Sequence, residues 1–222
     1  MYTTTVLTAL LAAPLALAAP STWPHISRAA SDNVKCPLVL DGRVPANLSK
    51  TPTVLDTSNA LFNPDYVKGN NLTWSQILQF PATEPSRFDG PSNTAIEVTI
   101  SDASIFQQQL GFRRAGLQFA ADSPQDPSDE GIKTLHFSVK QDPARPLNLT
   151  HEYLNIWHEA ADYSNNQIQF QIGTLIDNAA SKKNNFKILD RAGKQIWTIP
   201  VNNKKWQNFA IKLDYTKKYV PI

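Results

Sequence analysis

The chain of 222 residues contains only one cysteine, Cys36. A single cysteine excludes a disulfide within the chain and any metal site built from several cysteine ligands. The sequence therefore predicts a fold that is held together by its core and not by covalent cross-links.

The sequence also lacks an excess of charge of one sign. It has 21 lysine and arginine residues against 19 aspartate and glutamate residues, a formal net charge of +2. The basic residues are scattered, whereas nucleic-acid-binding proteins usually gather them into a patch or stripe. We therefore expect no nucleic-acid partner.

Long apolar runs are absent beyond the first 18 residues, so no later stretch approaches the ~20 apolar residues of a transmembrane helix. Residues 6–18 form an apolar run rich in leucine and alanine, which is typical of a secretory signal. Ala16 and Ala18 supply the small residues that a signal peptidase reads. We predict a signal peptide over residues 1–18, a flexible polar lead over residues 19–35, and a secreted, extracellular protein with no membrane partner.

Three Asn-Leu-Ser/Thr sequons, at Asn47, Asn71 and Asn148, fit a secreted protein because N-linked glycans are added along the secretory route. The remaining residues, 36–222, are enough for one sizeable hydrophobic core. We predict a single domain over that range.

Short runs of alternating apolar and polar residues follow Cys36, bounded by proline, asparagine, aspartate and glycine, which indicates an all-β protein. Only residues 73–80 show helical spacing of apolar residues. We predict a two-sheet sandwich. The predicted strands cover residues 95–101, 112–119, 133–140, 151–159, 167–174, 195–199 and 206–214.

Alternation gives each predicted strand an apolar face and a polar face. In residues 95–101, Ile96, Val98 and Ile100 share the predicted core face, which leaves Glu97 on the other. In residues 133–140 the same reasoning places His136 opposite the core.

The strand predicted over residues 151–159 has the most distinctive polar face. Leu154 and Ile156 mark its core side. The other face then carries an imidazole, two aromatic rings, an amide and a carboxylate, from His151, Tyr153, Asn155, Trp157 and Glu159.

Such a face suits a sugar polymer, because pyranose rings stack on aromatic side chains and their hydroxyls need both donors and acceptors. The alternative is a solvated outer face of a sheet, which requires no ligand. Tyr153 and Trp157 side by side favour the ligand, since exposed aromatics in a group mark binding surfaces.

Glycoside hydrolysis requires two carboxyl groups, one to protonate the leaving oxygen and one to attack or to activate water. Glu97 and Glu159 are the two that alternation places on polar faces. Glu152 is the alternative, because its face at the end of a strand is open to either assignment.

Six motifs in order carry a family resemblance. They are CPLVLDGRVP at residues 36–45, FNPDYVKG at 62–69, EVTISD at 97–102, GFRRA at 111–115, KTLHFSVK at 133–140 and LNLTHEY at 147–153. Together they resemble glycoside hydrolase family 131 over residues 36–214. The resemblance implies a fungal β-jelly roll with a concave sugar-binding sheet, few or no helices and no cofactor or metal, acting on β-1,3-, β-1,6- and β-1,4-glucans.

The resemblance also assigns roles to residues. It implies that Glu97 is a catalytic carboxylate, with Glu159 or Glu152 as its partner. Relatives carry a glutamate where this chain has Gly116, and if that residue is the partner acid, this chain lacks it. The adjacent Arg113 and Arg114 point to opposite sides of a strand, so at most one faces the same cleft as Glu97.

We assign substrate binding to His136, His151, Tyr153, Asn155, Trp157 and Arg113, with a β-glucan as the partner and the protein as a monomer. Two other functions remain open on the same scaffold: a non-catalytic β-glucan-binding protein, and a polysaccharide lyase. The resemblance further implies strands beyond Asp214 and a cysteine that would pair with Cys36. We therefore expect residues 36–222 to be a jelly roll that is incomplete at its C-terminus, and the likeness to end near Asp214.

Overall fold

The computed structural model describes residues 37–57, 60–64, 68–123 and 126–217. The predicted signal peptide, the polar lead and Cys36 lie outside these residues. The described ranges contain one α-helix, α1, at Trp74–Ile77, and short 3-10 helices at Ala46–Lys50, Pro52–Asp56, Asp102–Ser104 and Pro127–Asp129.

Ten strands are present in the same ranges. They are β1 Val44–Pro45, β2 Leu78–Gln79, β3 Asn93–Thr94, β4 Glu97–Val98, β5 Ile132–Val139, β6 Glu152–Glu159, β7 Asn166–Gly173, β8 Asn185–Asp190, β9 Gln195–Pro200 and β10 Gln207–Asp214.

The longer strands form a sandwich of two antiparallel sheets. Strands β6, β7, β8 and β9 pair in sequence order, and β5 pairs with β10 over eight residue pairs. The two sheets meet at an aromatic core in which the ring of Phe170 lies 4.8 Å from that of Phe209, 4.9 Å from Phe186 and 5.1 Å from Phe137, between ring centroids. Such aromatic contacts add stability beyond the burial of their area. The predicted all-β sandwich is confirmed.

The N-terminal region builds a second core without long strands. Strand β1 pairs with β3 and β2 pairs with β4, each over two residue pairs. The fully buried Trp74 packs against Phe62 and donates a hydrogen bond from Nε1 to the carbonyl of Asn63, 2.8 Å away. A buried indole with a satisfied N–H is an effective anchor for an irregular backbone.

The predicted helix is shorter than its pattern suggested. It begins after Thr73, whose side chain forms a capping box with Gln76. It ends at Ile77, because Leu78 and Gln79 pair with β4. No helix among the described residues is long or apolar enough to span a bilayer.

Two of the predicted strands are wrong in extent. Residues 95–101 supply only the two-residue strand β4, and residues 112–119 form single bridges, from Ala115 to Lys68 and from Phe119 to Phe62. Both segments pair with partners of the N-terminal region, whose described residues form no long strand that could continue the ladder.

Strand β8 was not predicted, although it lies in the middle of the four-stranded sheet. Five of its six residues are buried, and Lys187 is fully buried between Phe186 and Ile188. Lys187 breaks the apolar pattern of β8 in the sequence. A lysine at that position does not predict a buried strand, because lysine is almost never fully buried unless it is paired.

A β-bulge in β6 overturns part of the predicted face assignment. Leu154 pairs with Gln171 and Ile156 pairs with Phe170, so Asn155 is an extra residue in the ladder. The extra residue shifts the alternation by one position. Tyr153 therefore packs on the aromatic core, and Leu154 lies exposed on the other face, the reverse of the prediction.

The predicted faces of the other two strands have opposite outcomes. In β5, Phe137 and Val139 pack on the core while His136 is exposed on the other side, as predicted. In residues 95–101, the predicted core face is right for Ile96, which packs against the N-terminal core, and wrong for Val98 and Ile100, which are 40% and 45% exposed. Among the described residues β4 pairs only with β2, so the two sides of this short strand are not a core face and a solvent face.

Candidate active site

Glu97 lies on β4 opposite Gln79 of β2, and its side chain is 21% exposed. Arg145, from the segment between β5 and β6, donates from Nη2 to Glu97 Oε2 and from Nη1 to Gln79 Oε1. One guanidinium thus fixes the carboxylate and the amide beside it. Charge-assisted contacts of this kind are the stronger hydrogen bonds of proteins.

Asp142 holds the other side of the same arginine. Its Oδ2 lies 3.2 Å from Arg145 Nε. The backbone N–H of Ala144, 2.8 Å from Asp142 Oδ1, holds the pKa of this carboxyl below its ordinary value, and Arg145 lowers it further. Arg145 therefore sits between two carboxylates and orients Glu97. An oriented carboxylate is what attack on the sugar or activation of water requires.

A second ion pair lies on the extended segment between β2 and β3. Lys140 Nζ is 2.7 Å from Thr83 Oγ1 and 3.0 Å from Glu84 Oε1. The hydrogen bond from Lys140 lowers the pKa of Glu84 to about 2. Trp206 donates from Nε1 to the carbonyl of Glu84 at 2.9 Å. These contacts attach the segment to β5 and to the start of β10.

His136 lies on the outer face of β5, as the alternation of apolar and polar residues along the strand predicted. Its ring is 5.2 Å from that of Phe88, between centroids, in an edge-to-face arrangement. The imidazole therefore contacts the segment that leads from Glu84 toward β3 and β4.

Trp157 lies opposite Gln169, on the face of the four-stranded sheet that points away from the aromatic core. The guanidinium carbon of Arg114 is 5.9 Å from the Trp157 ring centroid and 5.7 Å from that of Phe106. An arginine at this distance from an aromatic ring makes a cation–π contact.

The two neighbouring arginines have different roles. Arg113 pairs with Asp102, with Nε 3.0 Å from Oδ1, on the exposed surface. Arg114, and not Arg113, is thus the arginine beside the predicted sugar-stacking tryptophan. The sequence-based prediction chose Arg113 for substrate binding, although two successive residues on an irregular segment carry no signal of which one faces the site. That role for Arg113 stays a prediction.

The remaining predicted residues are spread along β6. His151 precedes the strand, Asn155 is the exposed bulge residue, and the Tyr153 hydroxyl donates to the carbonyl of Asn148 at 3.3 Å. Glu159 is exposed at the end of the strand. Their roles in substrate binding stay predictions, and for Tyr153 the predicted ligand-facing orientation is wrong.

Two features bear on the identity of the second acid. Glu152 Oε2 accepts a hydrogen bond from the backbone N–H of Ile176 at 2.9 Å, which ties this carboxylate to the loop after β7. Gly116 is buried. Glu159 is the more accessible of the two carboxylates on β6.

Two further sets of residues complete the description. Asn47, Asn71 and Asn148 are all exposed, as a glycan requires, and their glycosylation stays a prediction. The described part of the chain contains no group of three or more histidine, cysteine, aspartate and glutamate residues that could hold a metal ion.

A model of the glycoside hydrolase 131 catalytic N-terminal domain matches residues 38–222. The chain belongs to glycoside hydrolase family 131. The family resemblance drawn from the six motifs is confirmed, and the chain is a glycoside hydrolase by family. The match continues past Asp214. The expectation that the likeness ends there is therefore wrong.

A solved structure supports the fold independently. The chain is similar to the crystal structure of the catalytic domain of the glycoside hydrolase family 131 protein from Coprinopsis cinerea, with a TM-score of 0.61 and 20% sequence identity over 83% of this chain and 72% of that chain. No curated protein matched the sequence.

Proposed function

We propose that this family 131 glycoside hydrolase is a secreted, monomeric β-glucanase that cleaves β-1,3, β-1,6 or β-1,4 linkages of cell-wall glucans. The observation that carries the proposal is Glu97, held by Arg145 and flanked by Gln79. An oriented carboxylate is one half of the pair that glycoside hydrolysis uses.

Glu159 is our candidate for the other half of the pair. It is exposed on the same strand as Trp157, whereas Glu152 is engaged by the backbone of Ile176. In this assignment Glu159 protonates the leaving oxygen and Glu97 attacks the sugar or activates water. Trp157 supports the sugar ring by stacking, and Arg114 restrains the indole from the side it contacts.

The test is incubation of the secreted protein with laminarin, pustulan and cello-oligosaccharides, followed by sizing of the products. Shorter oligosaccharides from at least one glucan are expected. Products that absorb in the ultraviolet would identify a lyase instead, because β-elimination leaves a double bond. Binding to insoluble glucan with no soluble product would identify a non-catalytic glucan-binding protein.

Glu159→Gln and Glu152→Gln then separate the two candidate acids. Loss of activity in Glu159→Gln with activity retained in Glu152→Gln supports the assignment. The opposite pattern would transfer the role to Glu152.

A further inference from the structure

A pocket of about 360 Å³ opens beside strands β8 and β9, and it shares no residue with the Glu97–Arg145 site. Its volume falls within the range of about 300–1,000 Å³ that is common for small-molecule sites. The polar residues that line it are Asn178, Ser181, Lys182, Asn185, Gln195 and Thr198.

The wall of the pocket is a loop that a series of backbone hydrogen bonds holds in shape. The N–H of Asn178 donates to the carbonyl of Leu175 at 3.3 Å, that of Ser181 to Asn178 at 3.1 Å, and that of Asn185 to Lys182 at 3.2 Å. Leu175 is buried and anchors the start of the loop. The wall is therefore formed before any ligand arrives, which lowers the entropic cost of binding.

The floor of the pocket is the outer face of the four-stranded sheet. Asn185 Nδ2 donates to Thr198 Oγ1 at 3.1 Å, and Thr198 Oγ1 donates to the carbonyl of Phe186 at 2.9 Å. The next residue on this face of β8 is the buried Lys187, whose Nζ donates to the carbonyl of Asn185 at 3.1 Å. The first two bonds fix the orientation of the asparagine and threonine side chains.

One hydroxyl of the pocket lacks a partner. Ser181 Oγ is buried and makes no hydrogen bond within the described part of the chain. A buried polar atom without a partner is unfavourable, so a ligand hydroxyl gains this contact when the Ser181 side chain turns its Oγ, which has almost no exposed surface here, toward the pocket.

The chemistry of the lining indicates what kind of ligand fits. Five of the six polar lining residues carry neutral amide or hydroxyl groups, and Lys182 supplies the single charge. Amides and hydroxyls offer donors and acceptors together, which is what the hydroxyls of a sugar require. A carboxylate or phosphate ligand would instead favour several cations.

We propose that this pocket is a second carbohydrate-contact site, which binds one neutral sugar residue of a glucan chain and shares no residue with the Glu97–Arg145 site. The inference rests on the proposed β-glucan substrate. A polymer that reaches this pocket would be retained on the enzyme between successive cleavages.

The direct test is an NMR titration of the ¹⁵N-labelled full chain with laminaritetraose, with Glu97→Gln present in every sample so that the oligosaccharide is preserved. The amide signals of residues 178–185 and of Thr198 are expected to shift together and to give one dissociation constant. If these signals stay fixed while signals near Trp157 saturate, the pocket binds no sugar and the inference fails, although the proposed function stands.

A pair of serine variants adds a matched comparison. Ser181→Ala is expected to weaken the binding reported by the pocket signals by about three- to tenfold, the equivalent of one hydrogen bond. Ser164→Ala, an exposed serine in the turn between β6 and β7, is expected to leave it unchanged. Equal affinities in both variants would overturn the role of the Ser181 hydroxyl. If Ser181→Ala fails to fold, the titration of the parent protein decides alone.

A second ligand tests the chemistry of the pocket. Tetragalacturonate, an anionic sugar chain, is expected to shift the pocket signals less than laminaritetraose does. Stronger binding of the anionic chain would contradict a neutral-sugar site and point to Lys182 as the main contact. A failure of the proposed function would be seen separately, as an absence of products from any glucan with the unmutated protein.

Discussion

Residues 132–214 and residues 44–119 each enclose a core of large apolar side chains, but they order the backbone in different ways. In the C-terminal sandwich, strands of six to eight residues repeat the same ladder across two sheets. In the N-terminal region, two-residue strands and 3-10 turns surround Trp74 and Phe62. A repeated ladder leaves a periodic pattern in the sequence, whereas a core assembled from single contacts does not.

The difference also separates two parts of the candidate site. Trp157 stands on a long strand, where the sheet sets its direction. Glu97 stands on a two-residue strand, and its position depends on the side-chain contact with Arg145, which also binds Gln79. The carboxylate should therefore be more sensitive than the tryptophan to changes in its neighbours.

The largest effect is expected from the centre of the sandwich. Phe170→Ala removes a fully buried ring in contact with three others and should lower the free energy of unfolding by about 3–5 kcal/mol. Phe112→Ala, which removes a half-exposed ring from the irregular region, should change it by less than ~0.5 kcal/mol. Urea unfolding measures both, and similar losses would show that the two regions do not differ as described.

A pair of tryptophans tests which face of the four-stranded sheet binds sugar. Trp157→Ala is expected to weaken oligosaccharide binding by roughly 1–2 kcal/mol, by loss of the stacking contact. Trp197→Ala is the control, because Trp197 packs against Phe209 in the aromatic core at 5.8 Å between centroids, and it should lower stability instead. Calorimetric titration and thermal melting separate the two effects. A large loss of stability with unchanged affinity in Trp157→Ala would make that residue part of the core.

A smaller, pH-dependent effect is expected where β6 meets the segment after β10. His158 Nε2 lies 3.0 Å from the Tyr215 hydroxyl, and burial lowers the pKa of His158, with Asp129 opposing the shift weakly. Because the unfolded chain then binds a proton more readily than the folded one, stability should fall as the pH drops from about 6.5 toward the lowered pKa.

Urea unfolding between pH 5 and pH 7.5 measures this dependence. His158→Gln keeps a polar partner for Tyr215 without a titrating group and should flatten the curve in that interval. An equal slope in the parent and the variant would assign the pH dependence to other residues.

The long, regular strands were the part of the fold that the sequence predicted best. Strands β5, β7 and β10 were predicted close to their true bounds, because alternation in each is uninterrupted. Strand β6 was predicted in place, but alternation cannot reveal the extra residue at Asn155, so Tyr153 and Leu154 were assigned to the wrong faces. Strand β8 was missed because Lys187 interrupts its apolar run, although two backbone carbonyls satisfy its ammonium group.

The candidate active site could be predicted from the sequence only in part, because some of its residues lie in segments without alternation. Alternation placed Trp157 and His136 on the faces that the structure gives them. Glu97 was chosen through the family motif, because alternation fails around β4. Arg145 was not, since it lies in a segment without periodicity and reaches Glu97 across 48 residues of sequence. Pairings between side chains of distant, irregular segments leave no local signal.

We propose that Glu97, oriented by Arg145, is a catalytic carboxylate of a β-glucanase. The most direct measurement is the initial rate of sugar release from laminarin, pustulan and cello-oligosaccharides by the parent protein, Glu97→Gln and Glu130→Gln, an exposed control outside the site. We predict that Glu97→Gln loses at least ~100-fold in rate and keeps glucan binding, while Glu130→Gln resembles the parent. A rate for Glu97→Gln within a few-fold of the parent on the preferred glucan would contradict the account.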